Sequence, residues 1–124
     1  MLTPQKLEEL REFFKELVRA NNLDGVILAD AEGLGLTSYI QEEGVDEDTI
    51  AAAGAAIFTA GLMTVNDAGK KGLDQVILHS PDGYIIFTSV GDYVIGLLSP
   101  KDAKLGVLKV VINQIANKIR ELEG

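Results

Sequence analysis

The chain has 124 residues, of which 47% are hydrophobic and 24% charged, with a formal net charge of −8 and no cysteine. This size and composition predict one globular domain spanning residues 1–124, and they exclude a disordered chain, a disulfide framework and the common cysteine zinc sites. Because the longest basic run is Lys70-Lys71, phosphate backbones and anionic lipids would repel the protein, which argues against nucleic-acid and membrane partners.

The N-terminal segment predicts an amphipathic helix. Thr3 supplies an N-cap hydroxyl, and Pro4 suits the first helical position. Apolar residues recur at helical spacing over residues 7–18, opposite a charged face, and Asn21-Asn22 ends the helix. No secretory hydrophobic region is present, so we expect a cytoplasmic protein.

Two short strands are predicted next, at residues 25–30 and 34–40. The intervening Asp30-Ala31-Glu32-Gly33 is typical of a tight turn, so the pair forms a hairpin.

A second helix is predicted from an N-cap at Asp46 to about Ala68, closed by Gly69 and Gly72. It contains the longest uncharged stretch of the chain, residues 49–66, which is built largely from Ala, Gly and Thr. A membrane span needs about 20 strongly hydrophobic residues, so we expect this segment to be too short and too weakly apolar to be one.

The rest of the chain predicts three strands joined by hairpins and a final amphipathic helix, at residues 73–80, 84–90, 93–98 and 105–122. Turns at residues 81–83 and 91–92 separate the strands, and Ser99-Pro100 is expected to break the sheet. Consecutive hairpins require antiparallel pairing. The predicted fold class is therefore α+β, a three-layer α/β/α-like sandwich with a five-stranded antiparallel sheet and the order α-β-β-α-β-β-β-α.

The second helix is apolar around its whole circumference, because no charged side chain falls between Ile50 and Val65. A helix lying on a single sheet hides only one side, and the many small residues here let another backbone approach closely. We therefore expect a second copy to cover it across a two-fold axis, in an interface built around Phe58, Leu62 and Met63. The alternative is that the first or last helix packs over it within the protomer.

Several segments together resemble the roadblock domain of dynein light chains and bacterial small-GTPase regulators. They are the hairpin Gly25-Val-Ile-Leu-Ala-Asp-Ala-Glu-Gly-Leu34, the small-residue helix, the Asp82-Gly83 hairpin and the late segment Ala103-Lys-Leu-Gly-Val-Leu108. The similarity covers nearly the whole chain in element order.

The resemblance implies homodimers or heterodimers in which the third strands pair edge to edge and the middle helices lie side by side. It also implies binding to Ras-like small GTPases, or a scaffold role, through the paired helices and adjacent loops. The implied dimer-interface residues in this sequence are Ala55, Phe58, Thr59, Leu62, Met63, Val76, Ile77 and Leu78.

No group of residues predicts catalysis or a bound cofactor or metal. His79 and Ser80 are adjacent on a strand, so their side chains point to opposite faces and cannot act as a nucleophile and base pair. The short glycine runs lack the remaining residues of a dinucleotide or phosphate loop. The acidic residues of 42–48 lack the EF-hand pattern and suit a helix N-terminus, or docking to a basic partner. We therefore expect no enzyme activity, no cofactor and no metal.

The leading functional hypothesis is a homodimeric adaptor that binds a Ras-like small GTPase and biases its switch conformation. Arg11, Arg19 and Arg120 all fall on predicted helices, so we do not expect an arginine finger. Two alternatives stay open: a structural scaffold subunit with no GTPase partner, and a PAS-like ligand sensor, against which the small number of aromatic residues argues.

Overall fold

A computed structural model describes all 124 residues as three helices and five strands in the predicted order. The helices are α1 (Pro4–Asn21), α2 (Glu47–Asp67) and α3 (Leu105–Glu123). The strands are β1 (Gly25–Asp30), β2 (Gly35–Ile40), β3 (Gln75–Ser80), β4 (Gly83–Val90) and β5 (Tyr93–Pro100).

The five strands form one antiparallel sheet in the order β2-β1-β5-β4-β3, which confirms the predicted fold class. β1 and β5 pair in the middle of the sheet although they are distant in sequence. The two edges of the sheet are therefore β2 and β3. This topology leaves the outer side of β3 without a strand partner.

Helices α1 and α3 cover one face of the sheet, and α2 lies on the other. Phe14 of α1 and Ile115 of α3 are fully buried against sheet residues such as Leu28 and Ile95, in the largest apolar core of the protein. On the opposite face, Ala51 and Phe58 of α2 belong to two smaller apolar clusters. The result is the expected three-layer sandwich, with most of the core on the α1 and α3 side.

α2 contacts strands only and touches neither of the other helices. The alternative in which α1 or α3 packs over it is therefore wrong. Only Ala51, Gly54, Ala55 and Phe58 of this helix are buried, and they form one sheet-facing stripe. The rest of its small-residue surface is open.

The start of α2 is fixed by Asp46, whose side chain accepts hydrogen bonds from the Thr49 amide at 2.9 Å and hydroxyl at 2.8 Å. These bonds lower the pKa of Asp46, because they stabilise its charged form. Glu47 and Asp48 follow in the first turn, where negative charge favours the helix dipole. At the other end, Gly69 adopts a φ of +82°, which helps the chain turn away after the helix.

The prediction that Ser99 and Pro100 break the sheet is wrong, because β5 continues to Pro100, which is opposite Gly83. A proline is tolerated there since it is the last residue of the strand, and its carbonyl accepts the Ala103 amide at 3.2 Å.

The expectation that the α2 segment is too short and too weakly apolar for a membrane span is also wrong, because α2 meets the length and composition of a span, with a mean hydropathy of 1.5 over 18 residues. In this fold it is a partly buried helix on the sheet.

Candidate dimer and partner interface

The surface of α2 divides into two flanks on either side of its buried stripe. Residues three and four apart share a helix face. The outer flank, defined as Ala52, Ala56, Thr59 and Met63, is exposed, and Met63 has 62% of its surface accessible. The strand-side flank is defined as Ala53, Ile57, Ala60, Gly61 and Thr64.

Ile57 and Gly61 of the strand-side flank face β3, while Ala53, Ala60 and Thr64 are exposed and Ala60 also borders the outer flank. A Cβ atom added to Gly61 would lie 3.2 Å from Cγ2 of Val76 and 2.9 Å from Cδ2 of Leu73, so the helix backbone approaches the edge strand closely at this point. Ile57 packs in the same apolar cluster as Val76. A second copy joined at the edge of β3 would meet this flank first.

The outer flank forms one wall of a shallow trough of about 420 Å³. The β1–β2 turn forms the other side through Ala31 and Glu32. This trough has an apolar floor of alanine side chains, and Thr59 and Met63 line it together.

The predicted interface residues on α2 do not all lie on one surface. Ala55 and Phe58 face the sheet, and Phe58 retains only 8% exposure because it packs with Phe87 and Val94. Leu62 is half-buried, while Thr59 and Met63 lie together on the outer flank. The helical stripes in the sequence identify the faces of α2 but do not say which face meets the sheet. In the sequence, the strand-side flank is indicated by the four-residue spacing of Ile57 and Gly61, which places both on one helix face.

The predicted residues on β3 are exposed along the edge of the sheet. Ile77 and Leu78 have 40% and 39% of their surface accessible, and Val76 is half-buried under α2. Side chains alternate between faces along a strand, so Leu78 shares the α2 side with Val76, and Ile77 points to the α1 and α3 side.

The backbone of β3 has unpaired groups on its outer side. Ser80 and Gly83 flank a two-residue turn, so they form a hydrogen-bonded pair between β3 and β4. Because bonding alternates along an antiparallel pair, the peptide groups that point outward belong to Gln75, Ile77 and His79. This row can accept another strand.

The polar groups near this surface show no catalytic arrangement. His79 is exposed and stacks on Tyr84, with ring centroids 4.5 Å apart and 12° between the ring planes. No three histidine, cysteine or acidic side chains come close enough together to hold a metal ion.

Comparison with known proteins identifies the fold. Residues 9–99 match the family model of the Roadblock/LC7 domain. MglB of Myxococcus xanthus superposes with a TM-score of 0.83 and 17% identity, over 92% of this chain and 94% of that chain. A structure described as MglB with tetrameric arrangement gives a TM-score of 0.85 and 18% identity, over 97% and 90% of the two chains. An uncharacterised protein of Methanocaldococcus jannaschii is 24% identical over 107 residues, which cover 86% of this chain and 90% of that protein.

Proposed function

This chain belongs to the Roadblock/LC7 domain family, and from this we propose that it is a non-catalytic homodimeric adaptor that binds a Ras-like small GTPase. In this proposal residues 1–124 act as a single domain. The observation that carries it is the open surface of α2 next to the unpaired edge of β3. Both features expose groups that a second protein would cover.

The homodimer is proposed to form through β3 and the strand-side flank of α2. Antiparallel pairing of two β3 strands would join the sheets of the two protomers into one and satisfy the outward peptide groups of Ile77. The same two-fold axis would bring Ile57, Ala60 and Thr64 toward their counterparts on the partner's α2. The small side chains on this flank permit close helix contact.

The GTPase is proposed to dock on the outer flank of α2. The flank would stay accessible in such a dimer, because it lies on the side of the helix away from β3. Its apolar trough, with Met63 exposed and Glu32 at the rim, suits an apolar ridge flanked by basic residues.

Any effect on GTP hydrolysis would be indirect. Arg11 and Arg19 lie on α1 and Arg120 on α3, so all three belong to the layer across the sheet from α2. None is positioned to enter a nucleotide site docked on the outer flank, which argues against an arginine finger. The adaptor would act by repositioning the GTPase's own residues.

The proposal is tested by solution mass followed by binding. Analytical ultracentrifugation of the protein should give a dimer. Mixing it with Ras-like GTPases encoded in the same genome, loaded with GDP or a GTP analogue, should give a complex in at least one nucleotide state. A monomer, or a dimer that binds no such GTPase in either state, would contradict the corresponding half of the proposal.

A structural scaffold role is the second candidate. The MglB structure with a tetrameric arrangement shows that a similar fold occurs in an assembly larger than a dimer. Co-purification from the native source separates the two roles by whether a GTPase or only structural subunits are recovered. The PAS-like alternative gains no support from the α2 side of the sheet, because the space between α2 and the sheet is about 10 Å³, whereas ligand pockets measure hundreds of Å³.

A further inference from the structure

Strand β2 is the second open edge of the sheet, on the side away from β3. The Gln41 amide donates a hydrogen bond to the Asp24 carbonyl at 2.8 Å, which fixes the bonded side at this end of the β1–β2 pair. Because bonding alternates along an antiparallel pair, the peptide groups of Ser38 and Ile40 point outward. A bulge interrupts the pairing near the start of β2, so the regular open row is confined to residues 37–40.

Helix α1 packs over β2 and carries three cations on one stripe beside this edge. Arg11, Lys15 and Arg19 are four residues apart, so they share one face of the helix, and we call them the cation row. The guanidinium carbons of Arg11 and Arg19 lie 5.6 and 6.0 Å from the ring centroid of Tyr39 on β2. Hydrogen bonding with Gln41 lowers the pKa of the Tyr39 hydroxyl, and the charges of Arg19 and Lys15 lower it further.

The cation row has little acidic compensation from its own chain. Arg11 approaches Glu12 at 3.9 Å between exposed side chains, and neither Lys15 nor Arg19 forms an ion pair. Like charges four residues apart on a helix repel each other. The row is therefore a local concentration of positive charge in a chain with a net charge of −8, and anionic groups placed beside it would relieve the repulsion.

The α2 face of β2 has the opposite charge. A Cβ atom added to Gly35 would lie 2.9 Å from Oε2 of Glu47 and 3.0 Å from Oδ1 of Asp48, so these carboxylates lie over the strand. Side chains of a strand point alternately to its two faces. In a strand added beside β2, the side chains on the α1 face would therefore meet cations, and those on the other face near Gly35 would meet carboxylates.

The spacing of the cation row matches that of an extended chain. Residues four apart on a helix are separated by a rise of about 6.0 Å. Residues two apart on a strand are separated by about 6.8 Å. Acidic residues at every second position of an added strand would therefore meet successive cations, whereas consecutive acids would direct some of their carboxylates to the acidic face.

The charge of the cation row disfavours a second copy of this chain as the occupant. Antiparallel pairing of two β2 strands about a two-fold axis perpendicular to the sheet keeps both α1 helices on the same side. Each cation row would then lie beside its counterpart, and like charges across an interface are unfavourable. The edge strand β3, which contains no lysine, arginine or acidic residue, has no such barrier.

We propose that the β2 edge is a docking site for an extended acidic segment of a protein partner, which adds to the sheet with carboxylates at alternate positions along the cation row. The outward peptide groups of Ser38 and Ile40 supply main-chain hydrogen bonds, and the cation row selects the side chains. The site lies at the edge opposite β3 and in the layer opposite α2. It is therefore independent of the proposed homodimer and of the proposed GTPase contact.

Synthetic peptides test the site. The probe is the acetylated and amidated peptide Thr-Glu-Val-Glu-Val-Glu-Thr, and the control is Thr-Val-Glu-Glu-Glu-Val-Thr, which has the same composition and charge. Isothermal titration calorimetry at fixed ionic strength should show binding of the probe that is tighter by about fivefold or more, because one carboxylate of the control loses its cation. Equal affinities, or no binding of the probe, would overturn the inference.

Backbone methylation separates strand addition from simple charge attraction. Two further versions of the probe are N-methylated, one at the glutamate amides and the other at the valine amides. Because an added strand bonds through one of its two sides, one version should bind at least about tenfold more weakly than the other. Hydrogen exchange of the Ser38 and Ile40 amides, followed by NMR, should slow when the probe binds. Equal binding of the two methylated peptides, or unchanged exchange, would overturn the inference.

Charge reversal in the protein provides the third test. Lys15→Glu should weaken binding of the probe by about fivefold or more, and a probe with its middle glutamate replaced by lysine should restore binding to this variant. Lys109→Glu is the matched control, because Lys109 is an exposed cation on α3, and it should change the affinity by less than about twofold. Circular dichroism checks that both variants are folded. Equal effects of the two substitutions, or no restoration by the exchanged peptide, would overturn the inference.

Discussion

Gly54 of α2 lies directly against the ring of Phe87 on β4. A Cβ atom added to this glycine would fall within 3.1 Å of three ring atoms. Gly96 of β5 borders the same ring, since its added Cβ would lie 3.0 Å from Cε1. The aromatic ring therefore occupies a slot between two glycines, and this slot lets α2 rest close to the sheet.

Replacing Gly54 by alanine should cost about 1–3 kcal/mol in overpacking, because the new methyl group meets the Phe87 ring. The gain of about 1 kcal/mol in helix propensity offsets part of this cost, so the net destabilisation should reach about 2 kcal/mol. Urea denaturation followed by circular dichroism measures the difference. Gly106→Ala in α3 is the control, because nothing lies within 4 Å of its added Cβ, and it should leave stability unchanged or higher. Equal effects of both substitutions would contradict the slot.

Replacing Phe58 by alanine should cost about 3–5 kcal/mol of protomer stability, since the side chain is buried against the sheet. Met63→Ala on the outer flank should stay within about 0.5 kcal/mol of the wild type, because Met63 is 62% exposed. Thermal unfolding of the two variants at matched concentration checks this contrast. A mild effect of the Phe58 variant would mean that this residue faces away from the sheet.

Asp46→Ala should lower the unfolding midpoint, because it removes the cap of α2. The folded-state pKa of Asp46 lies below its ordinary value of 3.8, so the stabilisation is fully present above pH 3.8 and is lost as the pH falls through the folded-state value. The difference between variant and wild type should therefore shrink in acid. Asp48→Ala serves as the control, since Asp48 makes no capping hydrogen bond. A difference that grows on acidification would contradict the assignment.

Ile77→Asp should convert the proposed dimer to monomer while preserving the fold, because Ile77 is 40% exposed at the edge of the sheet. A charge there would be buried by strand pairing and would lack a partner. Light scattering gives the mass, and circular dichroism confirms folding. Val110→Asp is the matched control, as Val110 is 58% exposed on α3. An unchanged mass for the Ile77 variant would place the dimer contact elsewhere.

Met63→Asp should abolish binding of the GTPase partner without changing the mass of the dimer, because Met63 lies on the outer flank of α2. Pull-down of the partner by this variant, compared with Val107→Asp on α3, is the measurement. If Met63→Asp instead dissociates the dimer, the outer flank is part of the self-contact, as the sequence pattern had suggested.

Local patterns were sufficient to predict most of the fold. Thr3 and Asp46 mark the starts of helices, and the turn residues around Asp82 separate β3 from β4 as expected. The predicted sheet break at Pro100 was wrong, because a proline at the last position of a strand loses no needed hydrogen bond. Local sequence rules describe the conformational preference of a residue. They do not describe how the surrounding structure accommodates that residue.

The candidate site was harder to predict, because it depends on how α2 crosses the sheet. An apolar circumference identifies a helix that must be buried on more than one side. It does not distinguish Phe58, which is buried, from Met63, which is exposed. Long-range contacts, such as that of Gly54 with Phe87, determine which face of α2 meets the sheet. The grouping of Asp24, Glu42 and Asp82 around one cavity was also missed, because these residues are far apart in sequence and meet only where the strands end.

The unpaired edge of β3 is an aggregation risk for a protomer that has no partner. A lone subunit presents open amide and carbonyl groups beside Ile77 and Leu78, and extended segments of other chains can add to such an edge. A protomer with this edge uncovered would therefore be prone to aggregation. In the proposed homodimer, pairing of the two β3 strands would cover this edge and remove that risk.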